Sequence, residues 1–462
     1  MTSRVEKDLL GEKTIPAGVY WGIHTQRALE NFRITDYRTD PELIKALAIV
    51  KKACCLASSE LGFIESEKAT AIAAACDEII EGRWLDQFPL DALQGGAGTS
   101  LNMNMNEVLA NRALAMLNKE TGRYDVLHPI EDVNLHQSTN DVYPTAVKIA
   151  CISHLRVLSA AVAEVQGVFQ KKEKEFASIV KLGRTELQEA VPMTLGSEFS
   201  AFAEAIARDR WRTFKCEERI RTVNLGGTAV GTGLTAPRSY IFLVIEKLRE
   251  ITGLGLARAE NLVDHTANTD PFVEISGILQ AHASNLIKIS NDLRILNLLG
   301  EIALPKVQTG SSIMPGKVNP VICEATIQAG LKVMANHSLV CESASRGTLQ
   351  INEFLPILSF AILESLRILI NTNGMLKSHV AGIQASPENC ENYINRSPAI
   401  ITALLPHIGY DKATELVRDF SKSGKGNLKD YLVQNLGKEL VEKVLSPLNL
   451  TSLGYRTDEE GT

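Results

Sequence analysis

The segment between residues 310 and 320, GSSIMPGKVNP, contains residue types that could bind and activate a small anion. Its glycines permit unusual backbone angles and expose amide N–H groups. N–H dipoles around a serine oxygen favour its ionised form, and a lysine and an asparagine beside it suit a carboxylate. The GxxxxGK[ST] spacing of a phosphate-binding loop is absent. The sequence therefore predicts a loop that binds an anion beside a serine able to ionise.

Four other segments are also rich in glycine, serine, threonine and asparagine. Such segments are longer than the few residues needed to link two helices. Loops on a rigid scaffold are the usual place for binding chemistry. We therefore expect the functional site in these loops, which are Gly95–Asn106, Gln137–Thr145, Gly183–Ala190 and Gly226–Ala236.

The elements between these loops are predicted to be long helices. Apolar residues recur at three- and four-residue spacing from Leu155 to Phe176, and again from Pro271 to Leu296. Further helices are predicted from Pro320 past Ala335 and over Phe354–Asn371, whereas the best strand signal is Gly18–Gly22. Helices of this length are typical of bundles, so the predicted fold class is mainly α with a long central bundle.

Composition excludes several classes of function. The chain has 462 residues and a formal net charge of −6, which disfavours nucleic acid and anionic membranes as partners. No apolar stretch approaches the roughly 20 residues of a membrane span, and the first ten residues lack the apolar core of a secretory signal. Its 8 cysteines show no metal-ligand spacing. We expect a soluble, cytoplasmic protein with no metal and reduced cysteines.

Several motifs together resemble the aspartase/fumarase superfamily over nearly the whole chain. Residues 310–320 match its hallmark string, and residues 20–28, 95–107, 137–141 and 183–185 are similar to its other characteristic segments. The resemblance implies three mostly helical domains, which we place at residues 1–137, 138–392 and 393–462. It also implies a homotetramer in which several subunits contribute to each active site.

The resemblance further implies an anti β-elimination that uses no external cofactor. Ser311 would be the general base, on a mobile loop formed by residues 310–313. Lys317, Asn319 and Thr185 would hold the α-carboxylate of the substrate. The residues that would contact the rest of the substrate and the leaving amine are Thr99, Ser138, Thr139 and Asn140, and Ser312 is a further predicted substrate-binding residue.

Three residues depart from the superfamily pattern. Glu186 stands where that pattern has a histidine facing the substrate. A third anion about 4 Å from a dicarboxylate would cost about 4 kcal/mol at an effective dielectric constant of 20. His136 replaces a serine, and Lys377 replaces an acidic or neutral residue; either could be a surface difference. Glu186 and Lys377 are therefore added to the predicted substrate-binding residues.

These departures favour a substrate with a cationic leaving group and no second carboxylate. One superfamily member, ergothionase, eliminates trimethylamine from ergothioneine and leaves thiourocanate, and this is the activity we predict. The alternative is an aspartate ammonia-lyase, which a raised pKa of Glu186 would help to accommodate. Fumarase fits less well because the histidine is missing. A structural, crystallin-like protein without activity is disfavoured by the intact Ser311, Lys317 and Asn319.

Overall fold

The protein is mainly helical in a computed structural model that describes residues 3–423, 426–452 and 454. This confirms the predicted fold class. The helices are α1 Ile23–Asn31, α2 Pro41–Glu60, α3 Ser66–Ile80, α4 Thr99–Met116, α5 Thr139–Glu175, α6 Leu195–Ile220, α7 Arg238–Thr252, α8 Leu262–Ala267, α9 Asp270–Leu298, α10 Val321–Ala344, α11 Leu355–Ala381, α12 Pro387–Arg396, α13 Leu405–Ile408, α14 Tyr410–Ser423, α15 Leu428–Leu436, α16 Lys438–Val444 and α17 Pro447–Thr451. Short 3₁₀ helices cover Leu85–Gln87 and Pro398–Leu404.

The strands form small two-stranded sheets. The pairs β1–β2, β3–β4 and β7–β8 are antiparallel, and β5–β6 is parallel. Their bounds are β1 Ser3–Asp8, β2 Gly11–Pro16, β3 Val180–Thr185, β4 Gln188–Thr194, β5 Thr222–Val223, β6 Ala257–Arg258, β7 Ile302–Ala303 and β8 Gln384–Ala385.

The chain divides into two compact units. Unit 1 comprises Met1–Ser159, Trp211–Ala283 and Leu331–Ile370, and unit 2 comprises Ala160–Arg210, Ser284–Gly330 and Asn371–Thr462. The three domains inferred from the sequence remain a prediction. Parts of the two terminal ones, residues 1–2, 424–425, 453 and 455–462, lie outside the described residues.

Within unit 1, the start and the packing of helix α2 follow from its sequence. Asp40 caps its first turn by accepting the N–H of Glu42 at 2.9 Å, and Pro41 occupies the first helical position. One face of the helix buries Leu43, Leu47 and Val50. The apolar area that these side chains remove from water stabilises the helix against its neighbours α3 and α7.

Within unit 2, helices α5 and α6 are joined by an aromatic cluster. The rings of Phe169, Phe176 and Phe202 lie with centroids 5.1–6.2 Å from that of Phe199, at tilted or edge-on angles. Such offset geometries add to the stabilisation from burial alone. In the same unit, β3 packs on α12, and β4 packs on α17 and the second 3₁₀ helix.

Two helices begin or end beyond their sequence-predicted bounds. Helix α5 begins at Thr139, although residues 137–145 were expected to form a loop, and Pro144 lies inside it. Proline lacks an N–H, so the carbonyl of Asn140 loses its helical donor; the side chain of Asn224 supplies one at 2.9 Å instead. Helix α11 runs ten residues past its predicted end because Gly374 does not interrupt it.

The strand expected at residues 18–22 is wrong. Those residues form turns and irregular backbone. The N–H of Gly22 donates to the carboxylate of Glu107 at 2.8 Å and therefore does not enter a strand ladder. A Cβ at Gly22 would lie 2.6 Å from Glu6 Oε2, so only glycine fits this close approach.

Two helices, α5 and α11, are long and apolar enough to cross a membrane, contrary to the expectation from the sequence. Within the described residues, 56% of the apolar window of α5 and 61% of that of α11 are buried inside the protein. Burial accounts for their apolar composition, so both are core helices.

Candidate active site

The loop of residues 310–320, in unit 2, places two backbone donors on one serine. Ser311 Oγ accepts the N–H of Ile313 at 3.2 Å and that of Met314 at 2.8 Å. Hydrogen bonds to the charged form of a group favour that form, so these dipoles stabilise a Ser311 alkoxide. Ser311 is half-buried whereas Ser312 is exposed. Ser311 thus has the environment expected of a serine that acts as a base.

The same loop is closed across its base by backbone and side-chain bonds. The N–H of Gly310 donates to the carbonyl of Lys317 at 2.7 Å, and Asn319 Nδ2 donates to the carbonyl of Gly310 at 2.9 Å. A Cβ on Gly310 would lie 2.8 Å from the backbone N of Asn319, so this closure requires glycine. Lys317 is exposed, and in the described part of the chain no carboxylate lies within ion-pair distance of its ammonium. The structure therefore brings Ser311, Ser312, Lys317 and Asn319 together in one loop.

In unit 1, Ser138, Thr139 and Asn140 lie at the N-terminus of α5. Ser138 Oγ accepts the N–H of Asn140 at 3.2 Å, and Asn140 Nδ2 donates to the carbonyl of Ala229 at 2.7 Å. The positive end of a helix dipole favours a bound anion. The predicted residues Ser138, Thr139 and Asn140 therefore lie together at the start of one helix.

Buried Asp141 holds this turn in place. Its carboxylate accepts the N–H groups of Ser138, Gly226 and Thr228 at 3.0–3.1 Å. Burial raises the pKa of Asp141 to about 6, although these three bonds oppose the shift. The loop at residues 226–236, which sequence analysis singled out without a role, is thereby attached to the start of α5.

Thr99 lies at the start of the neighbouring helix, α4. It is exposed, and its hydroxyl lies 2.7 Å from the carbonyl of Gly96. One turn further along α4, Asn102 Nδ2 donates to Thr139 Oγ1 at 3.1 Å. This bond links the N-terminus of α4 to that of α5. The two predicted hydroxyl-bearing segments, Thr99 on α4 and Ser138 with Thr139 at the start of α5, are therefore neighbours.

Thr185 and Glu186 lie at the tip of the β3–β4 hairpin in unit 2. Thr185 pairs with Gln188, so Glu186 and Leu187 form a two-residue turn, and both have positive φ (51° and 62°). Such a turn prefers Asn-Gly, and each non-glycine residue in it costs about 1–2 kcal/mol. The Glu186 carboxylate is exposed, and no cation among the described residues pairs with it.

A buried ionic network holds the base of this hairpin. Glu301, which is 0% exposed, forms an ion pair with Lys181 Nζ at 2.9 Å and accepts a hydrogen bond from Arg184 Nη1 at 2.6 Å. Lys181 also pairs with Glu198 at 2.5 Å, and the Arg184 guanidinium lies over the ring of Tyr393. Because Arg184 directly precedes Thr185, the network fixes where the turn begins.

Lys377 and His136 occupy less distinctive environments. The ammonium of Lys377, on α11, lies 2.8 Å from Glu164 Oε2 on α5. This ion pair gives Lys377 a local partner, and its role toward a substrate stays a prediction. The ring of His136 lies against Phe63 and Tyr240, with Nδ1 3.2 Å from the carbonyl of Thr235.

Sequence analysis missed Lys51, a buried lysine on α2. Its ammonium donates to Asn134 Oδ1 and Gln137 Oε1, both at 2.8 Å. Burial lowers the pKa of Lys51 to about 8. The available signal was its position four residues after Leu47, on the apolar face of α2.

The described residues contain no group of three or more His, Cys, Asp or Glu side chains that could hold a metal ion. Seven of the eight cysteines are buried, and burial raises the pKa of Cys54 and Cys55 to about 12. Protonated thiols are poor nucleophiles and poor metal ligands.

Comparisons with known proteins assign the chain to a family. A family model described as "Lyase" matches residues 11–335. An aspartate ammonia-lyase from a Bacillus species is 44% identical over 459 residues, covering 98% of each chain, and that of Escherichia coli K12 is 42% identical over 470 residues, covering 99% of this chain and 98% of the other. A solved structure of "fumarate lyase:delta crystallin" from Brucella melitensis, bound to cobalt, has a TM-score of 0.94 at 43% identity and covers 98% of this chain and 100% of that one. A class II fumarase from Schistosoma mansoni has a TM-score of 0.90 at 32% identity, with coverage of 97% and 98%.

The fold, the serine loop and these matches define a class: the chain belongs to the aspartase/fumarase superfamily of lyases. This family consists of soluble enzymes. Within it, the protein is a carbon–nitrogen lyase resembling the aspartate ammonia-lyases.

Proposed function

We propose that this lyase eliminates ammonia from aspartate to give fumarate. The observation that carries the proposal is identity of 42–44% to aspartate ammonia-lyases along essentially the whole chain, combined with an intact Ser311 loop. This replaces ergothioneine, the substrate favoured by the sequence alone, as the leading candidate. No external cofactor is needed for the reaction proposed.

In the proposed reaction, Ser311 Oγ takes a proton from the carbon next to the C–N bond. The electron pair of that C–H bond becomes the double bond while the C–N bond breaks, and the electron pair of the C–N bond stays on nitrogen, so the protonated amine leaves as neutral ammonia. The proton on Ser311 is then released and taken up by ammonia, which gives ammonium and restores the base. The two N–H groups on Ser311 Oγ lower the cost of the alkoxide that must act as base. The products are fumarate and ammonium.

Aspartate brings two carboxylates, and the chain offers a candidate partner for each. The ammonium of Lys317 and the amide of Asn319 are proposed to bind the α-carboxylate, together with Thr185 and Ser312. The hydroxyls of Thr99, Ser138 and Thr139, with Asn140, are proposed to bind the second carboxylate and the amine. The linked N-termini of α4 and α5 support this part of the proposal, because both helix dipoles favour an anion there.

The exposed Glu186 favours a second candidate, elimination of trimethylamine from ergothioneine. That leaving group is a cation in the substrate and departs as a neutral amine, so it needs no acid. A carboxylate at the hairpin tip would attract it, and it would repel a dicarboxylate. Lys377 would be needed near the thione sulfur of ergothioneine, but its ammonium already pairs with Glu164, which weakens the case for this candidate.

A substrate panel with Glu186→Gln distinguishes the two candidates. The wild-type protein is expected to turn over aspartate and to leave ergothioneine, hercynine and histidine unchanged, as measured by ultraviolet absorbance of the unsaturated products. Removing the negative charge of Glu186 is expected to raise kcat/KM for aspartate about fivefold, since one unit charge at 4 Å in water contributes about 1 kcal/mol.

Glu189→Gln is the matched control, because Glu189 is an exposed carboxylate on β4 of the same hairpin. It is expected to leave kcat/KM unchanged. Thiourocanate formed from ergothioneine by the wild type, and lost in Glu186→Gln, would reject the aspartate proposal in favour of the second candidate.

We also propose a homotetramer in the cytoplasm, in which neighbouring subunits complete each site. Several large apolar side chains are exposed on this chain, among them Leu187, Trp211, Phe214 and Leu331, and contact with neighbouring subunits would remove them from water, which supports the proposal. Sedimentation analysis would test the assembly: a monomer that is fully active on aspartate would contradict it.

A further inference from the structure

Lys51 begins a chain of directional hydrogen bonds in unit 1. The lysine is 1% exposed, and its ammonium reaches Asn134 Oδ1 and Gln137 Oε1 at 2.8 Å each. An ammonium carries donors and no acceptor. Asn134 must therefore turn its oxygen, and not its NH₂, toward Lys51.

This orientation fixes the next amide. Asn134 Oδ1 also receives Asn102 Nδ2 at 3.2 Å and Asn106 Nδ2 at 3.1 Å, while Asn134 Nδ2 donates to the carbonyl of Gln137 at 3.3 Å. Since an oxygen cannot donate, Asn102 must present its NH₂ to Asn134. The Lys51 ammonium and the Gln137 carbonyl together determine which way Asn134 points, and Asn134 in turn orients Asn102.

The second hydrogen of the Asn102 NH₂ determines what Thr139 can do. It donates to Thr139 Oγ1 at 3.1 Å, in a buried contact. A hydroxyl has one hydrogen and two lone pairs. Because one lone pair of Thr139 is engaged from the interior, its hydrogen remains free to donate outward, away from Asn102.

We propose that Lys51 is a positioning residue: it sets the direction of the hydrogen bonds through Asn134 and Asn102 so that Thr139 presents its hydrogen to a carboxylate of the substrate. The inference rests on the proposed function, in which Thr139 contacts substrate. Lys51 itself touches neither the substrate nor the reacting atoms.

Without the ammonium, the chain can reverse. If residue 51 were neutral, only the 3.3 Å bond from Asn134 Nδ2 to the Gln137 carbonyl would oppose a half rotation of the Asn134 amide. Asn102 and Asn106 would then turn with it, and Asn102 would present its oxygen to Thr139. The Thr139 hydroxyl would donate inward, and only its lone pairs would face the carboxylate. A hydrogen bond to an anion would become a repulsive contact.

The test is a double-mutant cycle between Lys51→Met and Thr139→Val, measured as kcat/KM on aspartate. Methionine keeps the length and burial of residue 51 but removes the donors. Each single variant is expected to lower kcat/KM about tenfold, equivalent to about 1.4 kcal/mol. The double variant is expected to be no worse than Thr139→Val alone, because the lysine acts only through that hydroxyl.

Two variants serve as matched controls. Lys52→Met, next along α2, removes a lysine paired with Asp77 and is expected to leave kcat/KM unchanged. Thr139→Ser keeps the hydroxyl, so Lys51→Met should remain harmful in that background. Circular dichroism establishes that each variant is folded; if Lys51→Met does not fold, Asn102→Leu replaces it in the same cycle.

Additive losses in the double variant, or an unchanged kcat/KM for Lys51→Met, would overturn the inference while the proposed function stood. A wild-type protein inactive on aspartate would instead overturn the proposed function. In that case the double-mutant cycle is measured with whichever compound of the substrate panel the wild type turns over. If it turns over none of them, the cycle is measured as calorimetric affinity for aspartate.

Discussion

Replacing Ser311 with alanine is expected to lower kcat on aspartate by about 10²–10⁴-fold, the usual contribution of a positioned general base. Two backbone N–H groups, those of Ile313 and Met314, lie on its Oγ, so the wild-type side chain is adapted to carry negative charge. Alanine removes the base and leaves those donors in place. Stopped-flow or steady-state absorbance of fumarate measures the loss.

A loss of binding must be separated from a loss of chemistry. Calorimetric affinity of Ser311→Ala for aspartate is expected to stay within a few-fold of the wild type, because Lys317 and Asn319 remain. Ser345→Ala is the matched control. Ser345 lies in unit 1, whereas Ser311 lies in unit 2, and its hydroxyl donates to the carbonyl of Glu342. The kcat of this variant should equal that of the wild type. Retention of more than a tenth of wild-type kcat in Ser311→Ala would show that another group removes the proton.

The loop around Ser311 could be predicted from sequence because its chemistry lies within eleven consecutive residues. Glycines, hydroxyls and a lysine at that spacing leave few possible backbone conformations for the loop. The sequence predicts backbone N–H groups around the serine oxygen, and the structure has them on Ser311. The long helices could be predicted for a related reason, since their apolar period persists over many turns. Local patterns thus specify local structure.

Features that depend on partners distant in sequence could not be predicted. The turn of β3–β4 is Glu186-Leu187, which has none of the residues that usually announce a hairpin, and the ionic network around Glu301 joins residues more than 100 positions apart. The direction of the Asn102 amide depends on Lys51, on another helix. Tertiary context decides such details, and no pattern within one segment records them.

The prediction of ergothioneine as the substrate rests on Glu186, because a charge near two carboxylates is costly. That cost holds only at short range and low dielectric, and Glu186 is exposed at a hairpin tip. Solvent screening reduces the penalty, so resemblance over the full length favours aspartate despite this residue.

Replacing Glu301 with alanine is expected to lower the free energy of unfolding by about 3–5 kcal/mol, the range found when one partner of a buried ion pair is removed. Lys181, 2% exposed, would retain only Glu198, and the Arg184 guanidinium would lose its carboxylate. Urea denaturation followed by circular dichroism measures the change. Because Arg184 adjoins Thr185, we also expect KM for aspartate to rise.

Asp125→Ala provides the matched control, since it removes a carboxylate from an ion pair with Arg123 in which both side chains are more than half exposed. Exposed pairs contribute about 0–1 kcal/mol, so this variant should unfold nearly as the wild type does. The contrast isolates burial as the cause, because each variant deletes one ion-paired carboxylate. If Glu301→Ala costs no more than Asp125→Ala, the network neither stabilises the fold nor holds the hairpin, and Thr185 must be positioned by other contacts.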